Sequence, residues 1–203
     1  MLKLFIAPGA CSLAVHIALR ESGLPFEVEA VDLAAKKTST GEDFLAVAPK
    51  GKVPALALDD GSVLTEVAAV LQYVADHSAS PLAPAPGTLE RYRLQEWLSF
   101  IGAELHKAFT PLFRPDTPED YVSVAIRNVS QAFDYLDARI KGGGPYLMGP
   151  TFSVADSYCF TVASWSAHRD ISLDPWPALS DYVARVASRP AVREALRAEG
   201  LSG

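Results

Sequence analysis

Apolar positions fall into two patterns along this chain. In the first part, short apolar runs are separated by turn residues. Lys3-Leu4-Phe5-Ile6 is closed by Pro8-Gly9, as a buried strand would be. From Ser12, the positions Leu13, Ile17 and Leu19 with Ala14 and Ala18 predict a helix that Gly23 ends and Pro25 seals. Phe26 to Val31 then alternates, with Phe26, Val28 and Ala30 on one face and Glu27 and Glu29 on the other, as in a half-exposed strand. Residues 32–41 form a polar surface loop carrying Lys36-Lys37, ahead of a short helical turn near Asp43 to Val47. Val53-Pro54-Ala55-Leu56-Ala57-Leu58, the tight-turn signal Asp59-Asp60-Gly61 and Ser62-Val63-Leu64 predict a hairpin. A helix from Glu66 to about His77 closes the unit, with Val67, Val70, Leu71 and Val74 on one side. The order is β-α-β-α-β-β-α.

Pro81, Pro84, Pro86 and Gly87 then interrupt the chain, and beyond them the strand signals vanish. Leu94, Leu98, Ile101, Leu105 and Leu112 mark a long helix disturbed at its end by Pro111. Val122, Ile126, Val129, Phe133, Leu136 and Ile140 mark a second, closed by Gly142-Gly143-Gly144-Pro145. Val154 to His168 is apolar nearly all round, so it predicts a central buried helix, followed by two shorter ones after Pro177 and around Pro190 to Glu199. Phe152-Ser153-Val154-Ala155-Asp156 has the Ser-x-x-Asp form of a capping box at the start of the buried helix. The fold class is therefore α/β plus all-α, with a first domain over 1–78, a linker over 79–87 and an all-helical domain over 88–203.

Charge and cysteine content narrow the chemistry. A net charge of −6 without a long basic run excludes an electrostatic footprint for nucleic acid or an anionic membrane surface and points to a small-molecule partner. No apolar run approaches the ~20 residues that span a bilayer, and the first apolar residues stop at Pro8-Gly9, short of a signal-peptide core; the reading is a cytoplasmic protein with no membrane partner. Cys11 and Cys159, far apart, suggest neither a disulfide framework nor a metal site.

Cys11 opens the first helix, where unpaired N–H groups and the positive end of the helix dipole favour thiolate over thiol. Three residues on stands Ala14, so no second cysteine is present to resolve a mixed disulfide. The same position also suits a small buried cap residue. On the long helix, Ser99, Ala103 and His106 fall along one stripe beside the apolar one.

Gly9-Ala10-Cys11-Ser12-Leu13-Ala14 with His16 and Ile17, Ala48-Pro49-Lys50-Gly51, Val53-Pro54-Ala55-Leu56, Leu64-Thr65-Glu66 and Glu104-Leu105-His106-Lys107 resemble the bacterial beta class of glutathione transferases. The similarity runs over essentially the whole chain. It implies a thioredoxin-like first domain that binds glutathione and a helical domain that walls an apolar second substrate. It implies Cys11, His106 and Ser12 as the groups near the glutathione sulfur. It further implies a cis Val53-Pro54 bond that turns the Val53 backbone toward the cysteinyl part of glutathione. Glu66 and Val67 are implied at its α-ammonium and α-carboxylate, and Lys36 at its glycyl carboxylate. Ser99 and Lys107 complete the implied glutathione contacts; the family often carries asparagine where Ser99 stands. The implied protein is a homodimeric transferase with glutathione as co-substrate, no other cofactor and no metal. Two other readings stay open from the residues: a glutaredoxin-like thiol-disulfide enzyme using Cys11, and a non-catalytic glutathione or hydrophobic-ligand binding protein.

Overall fold

Five strands, β1 (Leu2–Ile6), β2 (Phe26–Asp32), β3 (Lys37–Thr38), β4 (Ala55–Ala57) and β5 (Val63–Thr65), form one sheet in the order β3-β2-β1-β4-β5 in the computed structural model, which describes residues 1–201. Strands β1 and β2 run parallel, joined through helix α1 (Ser12–Ser22), while β4 pairs antiparallel with β1 and β5 antiparallel with β4. Gly23, at φ 72°, ends α1 in the left-handed conformation that only a residue without Cβ adopts cheaply. Alternation along β1 sends Phe5 to one face, where it meets Phe44 of the short helix α2 (Phe44–Val47) in a cluster with Val31, Val53 and Ala55. Helices α1 and α3 (Val67–His77) pack on each other and bury Leu13, Ile17, Val70, Leu71 and Val74.

The alternation read into β2 is inverted. Val28 is exposed, whereas Glu29 and Val31 are buried. The carboxylate is tolerated inside because Lys3 Nζ (3.0 Å) and Thr40 Oγ1 (2.6 Å) both donate to it, which holds its pKa down to about 2. The polar loop also contributes the two-residue strand β3, too short to carry a periodic signal.

Contacts divide the chain into one unit of residues 1–83 with 188 onward and another of residues 84–187. The division falls inside the proline-rich stretch. The last helix, α9 (Pro190–Ala198), expected within the helical domain over 88–203, belongs instead to the first unit. It is held there by buried polar contacts. Arg189 makes a bidentate pair with Glu21 (2.6 and 2.9 Å). Fully buried, Glu199 accepts from His16 Nδ1 (2.8 Å) and from the Gly9 N–H (2.9 Å). Arg20 Nε donates to His16 Nε2 (3.0 Å), so the ring carries its proton on Nδ1 and donates it to Glu199. Gly9 sits at φ 73° with Leu201 against its Cα, and the tail thereby clamps the loop that leads to Cys11.

The second unit is helical. The long helix is α4 (Leu89–Phe100), then a π-helical segment (Ile101–His106), α5 (Lys107–Phe109) and a 3₁₀ turn (Thr110–Phe113) that holds the disturbing Pro111 in its first turn. Helix α6 (Glu119–Gly143) buries Val129, Phe133, Leu136 and Ile140, while Ile126 is exposed and Ala125 takes the buried position in that turn. Every residue of α7 (Val154–Ala163) is buried, and the remainder of the predicted helix is a 3₁₀ segment (Ser164–Arg169). At its start, Asp156 Oδ2 accepts from the Ser153 N–H (2.8 Å) and hydroxyl (2.9 Å), and Oδ1 from the Leu147 N–H (2.9 Å) and the Tyr182 hydroxyl (3.0 Å) of α8 (Pro177–Ala187). The predicted box is thus the hub of this unit's core.

Candidate functional site

In the first unit, β1 and the Pro8-Gly9 turn deliver Cys11 to the N-cap of α1, and the chain before β4 brings Val53 beside it: Cys11 Sγ donates to the Val53 carbonyl at 3.3 Å. The Val53-Pro54 bond is cis. The expectation of a favoured thiolate is corrected. Burial pushes the Cys11 thiol up to about 11, and Glu66 raises it further, outweighing its own and Ser12's backbone N–H groups and Lys52. At neutral pH Cys11 is a hydrogen-bond donor and not a resident anion.

Ser12 is also corrected. Its hydroxyl is fully buried and closes the turn, accepting from the Ala7 N–H (3.2 Å) and facing the Ala7 carbonyl (3.3 Å). It shapes the Cys11 loop and has no exposure for a ligand. Leu201 and Glu199 press on the same loop from the chain's last turn. That support was unreadable from the sequence, which gave no sign of α9's place.

Glu66 is the N-cap of α3 at φ 75°, a conformation rare for a residue with a side chain and characteristic of functional sites. The first intrahelical bonds run from Ala69 and Val70 to the Glu66 carbonyl, so the N–H groups of Val67 and Ala68 precede the ladder. The exposed Glu66 carboxylate is met by Lys50 Nζ at 2.5 Å, which holds its pKa below the usual carboxylate range. Lys50 is a group the sequence reading missed; its place in Ala48-Pro49-Lys50-Gly51, ahead of the cis proline, was the available signal. An ammonium is therefore already the partner of this carboxylate. Lys36, at φ 55°, directs its Nζ to the Gly51 carbonyl (2.8 Å). Cys11, Val53, Glu66, Val67, Lys36 and Lys50 thus all lie on loops and helix starts of the first unit.

In the second unit, the π-helical segment changes which residues share a face. Its wider turn, closed by i to i+5 bonds, splits the stripe expected to hold Ser99, Ala103 and His106. Ser99, Ala103 and Lys107 line a cavity of about 870 Å³ with α6 residues including Asn128, Gln131 and Tyr135. Ser99 is exposed and its hydroxyl donates back to the Gln95 carbonyl (2.7 Å). His106 turns elsewhere. Its Nδ1 lies 2.8 Å from the Tyr158 hydroxyl, and its ring meets Trp165 edge-on at 4.9 Å. Burial, aided by the Lys107 charge, lowers its pKa to about 4, so the ring is neutral at physiological pH. In the tautomer in which Nδ1 accepts from the Tyr158 hydroxyl, the neutral ring carries its proton on Nε2, on the side away from Tyr158. Neither Tyr158 nor Trp165 stood out beforehand, since both read as core positions of an apolar helix.

Among the described residues no group of three or more His, Cys, Asp or Glu is placed to hold a metal ion, and no helix is long and apolar enough to cross a membrane.

Family models for the glutathione S-transferase N-terminal domain and C-terminal domain match residues 9–77 and 100–190. The chain is 46% identical to glutathione S-transferase GstA of Escherichia coli O157:H7, over 98% of this chain and 100% of that protein. A sphingomonad glutathione S-transferase solved in complex with glutathione superposes with a TM-score of 0.95 at 53% identity, covering 98% of this chain and 100% of the other. A beta-class glutathione S-transferase of Sphingomonas chungbukensis gives a TM-score of 0.95 at 51% identity, with the same coverage.

Proposed function

The chain belongs to the glutathione S-transferase family and transfers glutathione to electrophilic substrates, and from that premise we propose which of its residues do the work. Glutathione binds along the loops and helix starts of the first unit. The Glu66 carboxylate takes the α-ammonium in place of Lys50, the Val67 N–H takes the α-carboxylate, and the Val53 backbone pairs with the cysteinyl unit. Lys36 supplies a cation for the glycyl carboxylate, whereas Ser99 and Lys107, which line the α6 cavity, take no part in the assignment. Lys50 at Glu66 is the observation that carries this assignment, because an ammonium occupies the carboxylate in the free protein.

At the sulfur, Cys11 Sγ–H and His106 Nε2–H act as neutral donors to the glutathione thiolate. The thiolate attacks the electrophilic carbon; for an aryl chloride the C–S bond forms, the C–Cl bond breaks, chloride leaves, and the proton lost by the glutathione thiol passes to water. Donors aimed at sulfur lower its pKa, and holding the electrophile beside it supplies the rest of the rate. The second substrate rests on the helical unit's aromatic side chains, and the active protein is a cytoplasmic homodimer. A resting thiol at Cys11 speaks against a primary thiol-disulfide activity, which depends on the thiolate fraction.

The test is steady-state conjugation of glutathione to a chlorodinitrobenzene by wild type, Cys11→Ala and His106→Ala. Wild-type turnover with His106→Ala the weaker variant supports the assignment. Glutathione binding with no conjugation of any electrophile sinks it in favour of a binding protein. Loss of all activity toward small disulfides in Cys11→Ala, with none toward aryl chlorides in wild type, favours the redox enzyme.

A further inference from the structure

Tyr158 is built into the rigid part of the helical unit and reaches out of it to His106. It lies on α7, two positions after the Asp156 hub, and keeps only 3% of its surface exposed. Helix α7 packs against the π-helical segment, of which His106 is the last residue. Such π segments are rare and occur frequently at functional sites. The Tyr158 hydroxyl stands 2.8 Å from His106 Nδ1 with the two rings perpendicular, while Trp165 meets the imidazole edge-on at 4.9 Å. Packing alone calls for an aromatic ring at position 158; only the hydroxyl meets the imidazole nitrogen.

We propose that Tyr158 is a positioning residue: its hydroxyl donates to His106 Nδ1 and thereby keeps the imidazole N–H on Nε2, the nitrogen that serves the glutathione sulfur. This rests on the transferase reading above and adds to it a residue that touches no substrate. A phenol is a stronger acid than a neutral imidazole N–H, and an imidazole nitrogen is a stronger base than a phenol oxygen. The pair is therefore bonded from O–H to N and not the reverse, which leaves the single ring proton on Nε2. The ring is neutral at physiological pH, so the position of that one proton decides whether Nε2 can donate at all. The same bond fixes the ring's orientation. A half-turn about Cβ–Cγ would set a C–H against the hydroxyl and put Cε1 where Nε2 stands, so the flipped ring loses both the bond and the donor.

The experiment uses Tyr158→Phe, which keeps the ring and removes the hydroxyl. NMR shifts of the His106 ring nitrogens read the tautomer without any substrate, and steady-state conjugation of glutathione to a chlorodinitrobenzene reads the consequence. Wild type should hold His106 as the Nε2–H form, and Tyr158→Phe should populate both tautomers. The variant's kcat/KM for the chloride should fall about fivefold, the worth of about one hydrogen bond, with the KM for glutathione unchanged. In a His106→Ala background the same substitution should cost nothing further, because Tyr158 acts only through His106. An Nδ1–H form in wild type, or a tautomer that Tyr158→Phe does not move, overturns the inference and leaves the transferase reading standing. Losses that multiply in the double variant also overturn it, by assigning Tyr158 to packing alone. A wild type that conjugates no aryl chloride overturns the transferase reading and the catalytic role of Tyr158 with it, an outcome told apart from the others because the tautomer is measured independently of turnover.

Discussion

Cys11 offers a direct contest between two physical effects. A cysteine at a helix N-terminus is normally acidified by the N–H groups and dipole there, and free cysteine titrates near about 8.5. Here the thiol is half-buried, bonded to the Val53 carbonyl and subject to the Glu66 charge, and burial lifts it to about 11. At pH 7 a thiol of that pKa is ionised in about one molecule in ten thousand, against about one in thirty for a free cysteine. Alkylation by iodoacetamide reads this directly, with Cys11→Ala subtracted as the blank for the buried Cys159. The rate at Cys11 should rise about tenfold per pH unit from about pH 6 to about pH 9, without levelling, and at pH 7 should be on the order of a few hundred times slower than for a free thiol. A plateau reached below about pH 8 would refute the reasoning, because it would mean that the helix terminus outweighs burial. Glutathione analogues that fill the first unit should slow the reaction further without changing its slope.

Three other outcomes follow from charge and burial. His106, with its pKa lowered to about 4, should show no titration of its ring protons by NMR between about pH 6 and about pH 8, where an unperturbed histidine changes charge; a midpoint in that range refutes the neutral-donor role. Glu29→Gln should destabilise the first unit at neutral pH by about 1–3 kcal/mol in urea unfolding. Because the folded pKa of Glu29 is depressed from 4.5 to about 2, its contribution is complete above 4.5 and lost as pH falls toward 2, so the difference from wild type should close across that window. Glu199→Ala leaves the Gly9 N–H and the His16 Nδ1–H without their buried acceptor, which should cost about 3–5 kcal/mol; a loss below about 1 kcal/mol would show that the clamp on the Cys11 loop is dispensable.

What could be read from the sequence follows from where the information is stored. Apart from the two-residue β3, the β-α-β-α-β-β-α order was visible because Gly23, Asp60-Gly61 and the apolar runs are local signals that act through backbone conformation and periodicity. Ser153 and Asp156 were legible as a cap for the same reason, although the sequence could not show Leu147 and Tyr182 converging on that carboxylate. The face of β2 was misread because its three apolar residues at 26, 28 and 30 suggest an inside that tertiary pairing of Glu29 with Lys3 and Thr40 overrides. The place of α9 depends on Glu21, His16 and Gly9, residues far away in the chain, and no local pattern encodes it. The phase of His106 was lost to one π turn, which a 3.6-residue template cannot represent.

The corrected ionisation states change how the chemistry is to be understood. Cys11 was expected as a thiolate and His106 only as a group near the sulfur, and both are neutral at physiological pH for the same reason, burial. A neutral Cys11 does not repel the glutathione thiolate, whereas a resident thiolate would raise the very pKa that catalysis must lower. In the proposed assignment, a neutral imidazole that donates from Nε2 forms no ion pair with the sulfur, which keeps its nucleophilicity better than it would against a full positive charge. Glu66 and Lys36 of the first unit, in the same assignment, serve the ends of glutathione while neutral donors serve its sulfur. That division lets the tripeptide bind through charge and leaves the reacting atom to hydrogen bonds that strengthen as negative charge concentrates on it.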